Sequence, residues 1–414
     1  MTRLPLEGLK VLDFCWDMAG PVMTSMLGDL GAEVIKVETR RRMDAIRFGR
    51  PVVGDTAAGD QGKAEDIQPF QHAMHRNKLG VTLNVATPEG LEIARRLVKE
   101  TDVVAENFSA GTMDRLGLGY EELSRINPKL VMISISATGQ TGPMQSAVSL
   151  NPIAIALSGL GSLLGYEGER PLAVMRNFYG DTNAGFHGAI AVLAALFRAR
   201  RTGIGEHIDL SQWEASSSGL DLQFADAAAG ATPTAAGNRH EWHAPHGTYP
   251  AAGERPGWNW VALHCETDEQ WQTLCRVLGL NQMAVDRRFN DVMGRLEHRD
   301  ELDRAIGEAT QHRDKAELAR ELQANGVPAA PVMDVGDQFE SEHFRDRGVF
   351  IEAHHDAVGY ELVQALPWKT TRTGRGQFRR PAPFMGRDNG IVFGEMLGMS
   401  EAEIEALKEK KVLF

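Results

Sequence analysis

Asp181 is the residue whose type and setting promise the most chemistry. It follows Gly180 and opens the run DTNAGFHGAIAVLAALFRARR, whose apolar middle and terminal arginines predict a buried helix over 181–201. At the head of such a helix an aspartate serves as an N-cap, accepting a backbone N–H. The same position holds the carboxylate ionised through the helix dipole and leaves its second oxygen available, as a carboxylate nucleophile requires. The two roles are compatible.

Three other constellations carry possible chemistry. FCWDMAGP, residues 14–21, is a turn of small residues between a β-rich and a helical run, the place where an open parallel sheet binds ligands. It is not the G-x-G-x-x-G fingerprint, which disfavours a nicotinamide or flavin cofactor. Glu38 runs into Thr39, Arg40, Arg41 and Arg42, with Arg47 further on, and in this class of fold arginine there accommodates a ribose phosphate. The plain alternative is a solvated basic surface. His240, His243 and His246 recur at three-residue steps, but Pro245 and Gly247 keep them off one helical face and no neighbouring Cys or acid completes a ligand set, so no metal is expected. Trp242, Trp258, Trp260 and Trp271 read as packing groups.

The elements that must position these groups alternate in type. LKVLDF, PVMTSMLGDLG, AEVIKVE, PEGLEIARRLVKE, DVVAEN and KLVMISIS read as strand, helix, strand, helix, strand, strand, which argues for a parallel sheet with helices on both faces. Thr87 caps a helix whose first position is Pro88, and Gly31 closes the helix before it. Residues 221–247, rich in Ala, Gly, Pro and His, read as a crossing segment. Beyond it TYPAAG and NWVALHC are strands and DEQWQTLCRVLG is a helix with Thr267 and Gln270 at capping-box spacing. AAPVMD is β-like, a loop-rich stretch follows, and a last helix is capped by Ser400 with Glu403.

At 414 residues the chain exceeds one hydrophobic core, so two or three units are expected. We divide it into a large domain begun by residues 1–225, a smaller domain with its linkers over 226–330, and a return segment over 331–414 that completes the large one. A hydrophobic share of 43% is that of a folded globular protein. Acidic residues outnumber basic ones by 56 to 44, which argues against nucleic acid and anionic membranes as partners. The three scattered cysteines form no disulfide framework and no Cys-x-x-Cys pair, and no run approaches the length of a membrane span, so a cytoplasmic location is expected.

Taken in order, these pieces resemble the family III CoA-transferases over essentially the whole chain. The resemblance is carried by LPLEGLKVLDF with AGP, GDLGAEVIKVE, NKLGVTLNVATPEG, DVVAENFSAGTMDRLGLGYEEL, NPKLVMISISATGQTGP, the GDTNAG helix with RRTGIGEHIDLS, and the closing APFMGRD and FGEMLGMSEAEIEAL. It implies an α/β fold with a parallel-sheet, Rossmann-like large domain, a smaller α+β domain and an interlocked homodimer. It also implies transfer of coenzyme A from an acyl-CoA to a carboxylic acid, with acyl-CoA as substrate and no permanently bound cofactor.

By position, the resemblance makes Asp181 the acyl-accepting aspartate. It sets Asp17, Met18 and Ala19 against the pantetheine and thioester, and Lys78, Asn107, Phe108, Arg115 and Leu116 around the CoA site. Relatives place arginine directly after the strand-ending glutamate; Thr39 stands there, so Arg40 or a neighbour takes that role. The glycine-rich lid of formyl-CoA enzymes is replaced by NRHEWHAP, which argues against formyl-CoA and oxalate. Arg239, His240 and His243 in that stretch suggest an acceptor with a second carboxylate, such as succinate or a larger diacid. The racemase branch needs a histidine base where Leu150 stands, and leucine cannot abstract a proton. A catalytically silent acyl-CoA-binding protein is the remaining alternative.

Overall fold

The computed structural model describes residues 3–48, 64–147, 150–172, 178–255 and 257–414. A parallel sheet of six strands forms the main layer: β1 (Lys10–Asp13), β2 (Glu33–Glu38), β3 (Lys78–Thr82), β4 (Val103–Glu106), β5 (Val131–Ser136) and β6 (Glu206–Ser211), in the order β3-β2-β1-β4-β5-β6. Their strands alternate. Leu12, paired with Ile35 and Val104, joins one buried cluster, while Val11, paired with Val34 and Val103, joins the other. A period of two therefore fills both faces with apolar side chains, as a sheet covered on both sides requires. The order reverses between β1 and β4, and that switch point opens a crevice beyond the carboxyl ends of these strands.

Helix α1 (Ala19–Asp29) follows β1, α2 (Pro88–Lys99) follows β3, and α3 (Tyr179–Thr202) precedes β6. The predicted start of α2 is realised: Thr87 Oγ1 accepts from the N–H of Gly90, with Pro88 in the first position. α3 packs directly on α1 through glycine. A Cβ built on Gly185 would lie 2.8 Å from the carbonyl oxygen of Ala19, so only glycine permits this approach. The close packing sets the first turn of α3 beside the turn after β1.

Two compact units emerge from the backbone contacts. One comprises Met1–Gly161, Ala173–Ala231 and Arg345–Phe414, and the other comprises Ser162–Leu172 and Thr232–Phe344. The longer stretch of the second unit thus begins six residues after 226 and continues past 330 to Phe344, and the unit includes an eleven-residue piece from before α3. Its core of Trp271, Leu274, Phe289, Leu302 and Leu318 lies under an antiparallel sheet of β7 (His246–Pro250), β8 (Trp260–His264) and β9 (Ala329–Pro331). The helix Asp268–Leu278 of this unit begins with the predicted capping box of Thr267 and Gln270.

In the first unit β3 and β6 are strands that the sequence pattern does not predict, and part of the return segment expected as loop is regular. Phe350–His355 and Gly359–Gln364 in fact form an antiparallel hairpin. The segment after it closes the open edge of β3: Gly80 N–H donates to Asp388 Oδ2 (2.7 Å) and Thr82 N–H to Asn389 Oδ1 (2.9 Å). Among the described residues no helix is long and apolar enough to cross a membrane.

The expectation that the helix bearing Asp181 is buried needs correction. Gly185, Gly188, Val192 and Leu196 face the core, but Phe186 (43%), Ile190 (68%) and Phe197 (67%) are exposed along one stripe.

Candidate functional site

The turn after β1 is fixed by side chains that take its backbone polar groups one by one. Cys15 N–H donates to Asp13 Oδ1 (2.9 Å), and the Cys15 carbonyl accepts from the buried Lys36 ammonium. Asn107, just beyond β4, grips Trp16 from both sides: its Oδ1 accepts from Trp16 N–H and its Nδ2 donates to the Trp16 carbonyl, both at 2.7 Å. Asp17 N–H donates to Asp44 Oδ1 (3.0 Å), and Asp17 itself sits at φ +57°, in the left-handed region that Asp tolerates better than most residues. A turn held by the strands on either side of the switch point has little freedom to move.

Below it lies a buried charge network. Lys78 Nζ donates to Asp13 Oδ2 (2.9 Å) and Thr24 Oγ1 (2.7 Å), and Lys36 Nζ stands 3.7 Å from Asp44 Oδ2. Burial alone would raise the Asp13 pKa, but Lys78 and Lys36 together hold it below the usual carboxylate value. Burial lowers the pKa of Lys78 despite the neighbouring Asp13.

Asp181 stands above this floor, in a cavity of about 510 Å³ with Trp16, Asp17, Met18, Asn107 and Phe108 on its walls. Helix α3 starts two residues earlier than the sequence suggested, at Tyr179, with Phe178 in the capping position at φ +55°. Asp181 is therefore not an N-cap. It lies inside the first turn, where its N–H donates to Asn151 Oδ1 (3.3 Å) and its Oδ1 accepts from Gln212 Nε2 (3.0 Å). The carboxylate expected to be ionised is mostly so at neutral pH, although its surroundings raise its pKa. Burial, and then the nearby Asp17 carboxylate, push it up to about 6 against the opposing Gln212 bond. A carboxyl of that pKa is mostly ionised at neutral pH yet more basic than a surface aspartate.

The expected CoA-site residues divide into groups. Asp17, Met18, Asn107 and Phe108 share the Asp181 cavity, and Phe108 and Leu116 line a second cavity of about 470 Å³ together with Arg41 and Arg42. Ala19 is buried in the core beneath the sheet turn. Lys78 is wholly buried with its ammonium saturated, and so does not present its charge to solvent. Arg115 is exposed and donates to Thr112 Oγ1 (2.8 Å).

Within the basic run, Arg40 is paired with Glu65 at 2.5 Å, and Arg47 is buried against Glu38 (2.6 Å) and Asp66 (3.0 Å). Arg42 remains open: its guanidinium lies 5.1 Å from the Trp16 ring centre and lines both cavities. By sequence Arg42 stands only as one member of the basic run, behind Arg40; Trp16, two residues before Met18, is the signal that singles it out. Gln212 and Asn151 carry no such signal, because their contact with Asp181 depends on tertiary packing.

Arg239, His240 and His243 belong to the second unit. Arg239 is surrounded by Asp300, Glu167 (3.7 Å) and Asp303 (3.9 Å), and it lines a cavity of about 480 Å³ with Tyr249. Its charge is neutralised locally. His240 and His243 gather with His246 and His264, the last brought opposite His246 by strand pairing, at ring separations of 4.7 to 6.3 Å. Burial, then the neighbouring imidazoles, lowers the pKa of both His240 and His264. Among the described residues no group of three His, Cys, Asp or Glu is arranged to hold a metal ion.

A doubly wound parallel sheet with a basic carboxylate in the crevice at its switch point defines an α/β enzyme of the cleft-binding class. The model of CoA-transferase family III matches residues 6–389, and the chain belongs to that family, as an acyl-CoA:carboxylate CoA-transferase. It is 31% identical over 415 residues to the succinyl-CoA–L-malate CoA-transferase β subunit of Chloroflexus aurantiacus, covering 100% of this chain and 99% of that protein. It is also 31% identical to the succinate–glutarate CoA-transferase of Agrobacterium fabrum, over 95% of this chain and 96% of the relative. A probable CoA-transferase of Mycobacterium tuberculosis is 33% identical over 99% of this chain, which spans 50% of that longer protein. The crystal structure of a CaiB/BaiF family protein from Brucella suis superposes with a TM-score of 0.85 and 31% identity, covering 95% of this chain and 100% of that one.

Proposed function

We propose that this enzyme moves CoA onto a dicarboxylic acid, with Asp181 as the covalent nucleophile. The observation that carries the reading is the Asp181 carboxyl itself, half-buried at the switch point with a pKa raised to about 6 and one oxygen held by Gln212. An Asp181 oxygen attacks the donor thioester carbonyl, the C–S bond breaks, and an aspartyl mixed anhydride and CoA thiolate result. The thiolate then attacks the aspartyl carbonyl, releasing the donor acid and leaving an aspartyl-CoA thioester. The acceptor carboxylate attacks that thioester to give a new anhydride, and the thiolate returns to its acyl carbon, freeing Asp181. Every step is a displacement at a carbonyl without net redox change.

The walls suit this chemistry. The N–H groups at the uncapped start of α1, in the AGP turn, would stabilise tetrahedral oxyanions, a role worth about 3 kcal/mol per donor. Arg42, open over Trp16 and shared by both cavities, would take a phosphate of CoA in the role expected of Arg40. Support for a dicarboxylate comes from the relatives, whose names include succinate, malate and glutarate, rather than from Arg239. Racemisation is disfavoured because Leu150 lines the cavity and none of the described lining residues is histidine.

The exposed stripe of Phe186, Ile190 and Phe197 supports the interlocked homodimer, since apolar side chains of this size on one helical face call for a covering surface. Sedimentation at nanomolar concentration should find no folded monomer. The unpaired, buried Cys15, Cys265 and Cys275 fit a reducing cytoplasm. The mechanism is tested by incubating the enzyme with succinyl-CoA, trapping with hydroxylamine or borohydride, and mapping the modified peptide. Label on Asp181 is expected; label on another carboxylate overturns the assignment.

A further inference from the structure

Asp17 is a charged group on the cavity wall that the transfer steps leave unused. Among the described residues lining the cavity only Asp17, Arg42 and Asp181 carry charge. Asp181 has Gln212, and Arg42 has the Trp16 ring. The Asp17 carboxylate makes no hydrogen bond or ion pair with any described residue; its backbone N–H alone is engaged, by Asp44. That engagement fixes the backbone from which the Asp17 side chain departs, because the left-handed conformation at φ +57° is held by the buried Asp44 and by the Asn107 grip on Trp16.

We propose that Asp17 is a specificity-determining residue that accepts a hydrogen bond from a hydroxyl on the carbon chain of the acid undergoing transfer. The inference rests on the transferase reading above. An ionised carboxylate only accepts hydrogen bonds, and before an acid enters the cavity only water can supply them. An acid that expels this water without offering a donor strands the charge, whereas a hydroxylated acid replaces the lost bond. The same charge disfavours a second carboxylate directly beside the reacting carbon. Its influence reaches Asp181, whose pKa it helps to raise, so the two carboxylates share one electrostatic environment.

The test compares glutarate with 2-hydroxyglutarate and 3-hydroxyglutarate as acceptors from succinyl-CoA, with new thioesters read by mass. Wild-type enzyme should favour at least one hydroxylated acid by about tenfold in kcat/KM, the scale of one hydrogen bond to a charged group. Asp17→Gly removes the carboxylate while permitting the positive φ, and the ratio should fall to about one. Asp17→Asn keeps an acceptor oxygen without charge and should fall between. Because a ratio is read, a loss common to all acids cancels. If a variant turns over neither acid, calorimetric Kd values for the same pair supply the ratio. A wild type without preference, or a preference that survives in Asp17→Gly, overturns the role of Asp17 alone. No transfer to any acid by wild type overturns the parent reading and this one with it.

Discussion

The Asp181 cavity and the Arg239 cavity are of similar size, about 510 and 480 Å³, and each mixes acids with an arginine. They differ in how the charges are spent. Around Arg239 three carboxylates converge on one guanidinium, and Tyr249 donates its hydroxyl to Asp303 at 2.7 Å, so the group is closed on itself. Around Asp181 one carboxylate has a single neutral side-chain partner, and the Asp17 carboxylate has none among the described residues. Composition alone does not separate a site from a structural cluster; unspent hydrogen-bonding capacity in a cavity does.

Replacing the carboxylate gives the largest expected effect. Asp181→Asn should lower CoA transfer by about 10³-fold or more, as loss of a covalent nucleophile does. Folding should not suffer. The raised pKa means that the native carboxyl binds its proton more tightly than the unfolded chain's, so its contribution to stability is complete below about pH 3.9 and is lost as pH rises through about 6. The melting point of Asp181→Asn relative to wild type should therefore rise between pH 4 and 7. Normal turnover in this variant would erase the contrast between the cavities.

Arg42→Ala should raise KM for acyl-CoA by about tenfold with kcat little changed, and added salt should shrink the difference because the arginine is exposed. A purely packing role for Arg42 over Trp16 would leave the salt dependence unaltered. Wild-type kcat/KM should drop to about half its plateau near pH 6 as Asp181 takes up a proton, and a flat profile from pH 5 to 8 would oppose an ionised nucleophile. Arg239→Ala should change transfer by less than about twofold and stability by about 1 kcal/mol or less, the ordinary worth of a partly exposed ion pair. A tenfold loss of transfer would return Arg239 to the substrate site.

Much of the fold was legible because it is written in local periodicity. The strands of β1, β2, β4 and β5 and the caps at Thr87, Thr267 and Ser400 follow from residues adjacent in the chain, whose preferences act before any distant contact forms. β3 and β6 were not recognised as strands. KLGVT is short and contains Gly80, which is admitted there because Pro383 would lie 2.7 Å from any Cβ. In EHIDLS charged residues interrupt the edge strand β6.

That Asp181 lies near the start of a long helix follows from periodicity and order, which are properties of the chain. Its chemistry is set by packing. Its pKa depends on burial and on Asp17, 164 positions earlier in numbering (181 against 17), and its orientation depends on Gln212 and Asn151. The separation of free from spent cations was likewise invisible beforehand: Arg40, Arg42, Lys78 and Arg239 are equal as letters, and only folding brings Glu65, Trp16, Asp13 or Asp300 against them. Electrostatic energy falls off with distance through space and with solvent exposure, and neither quantity is ordered along the chain.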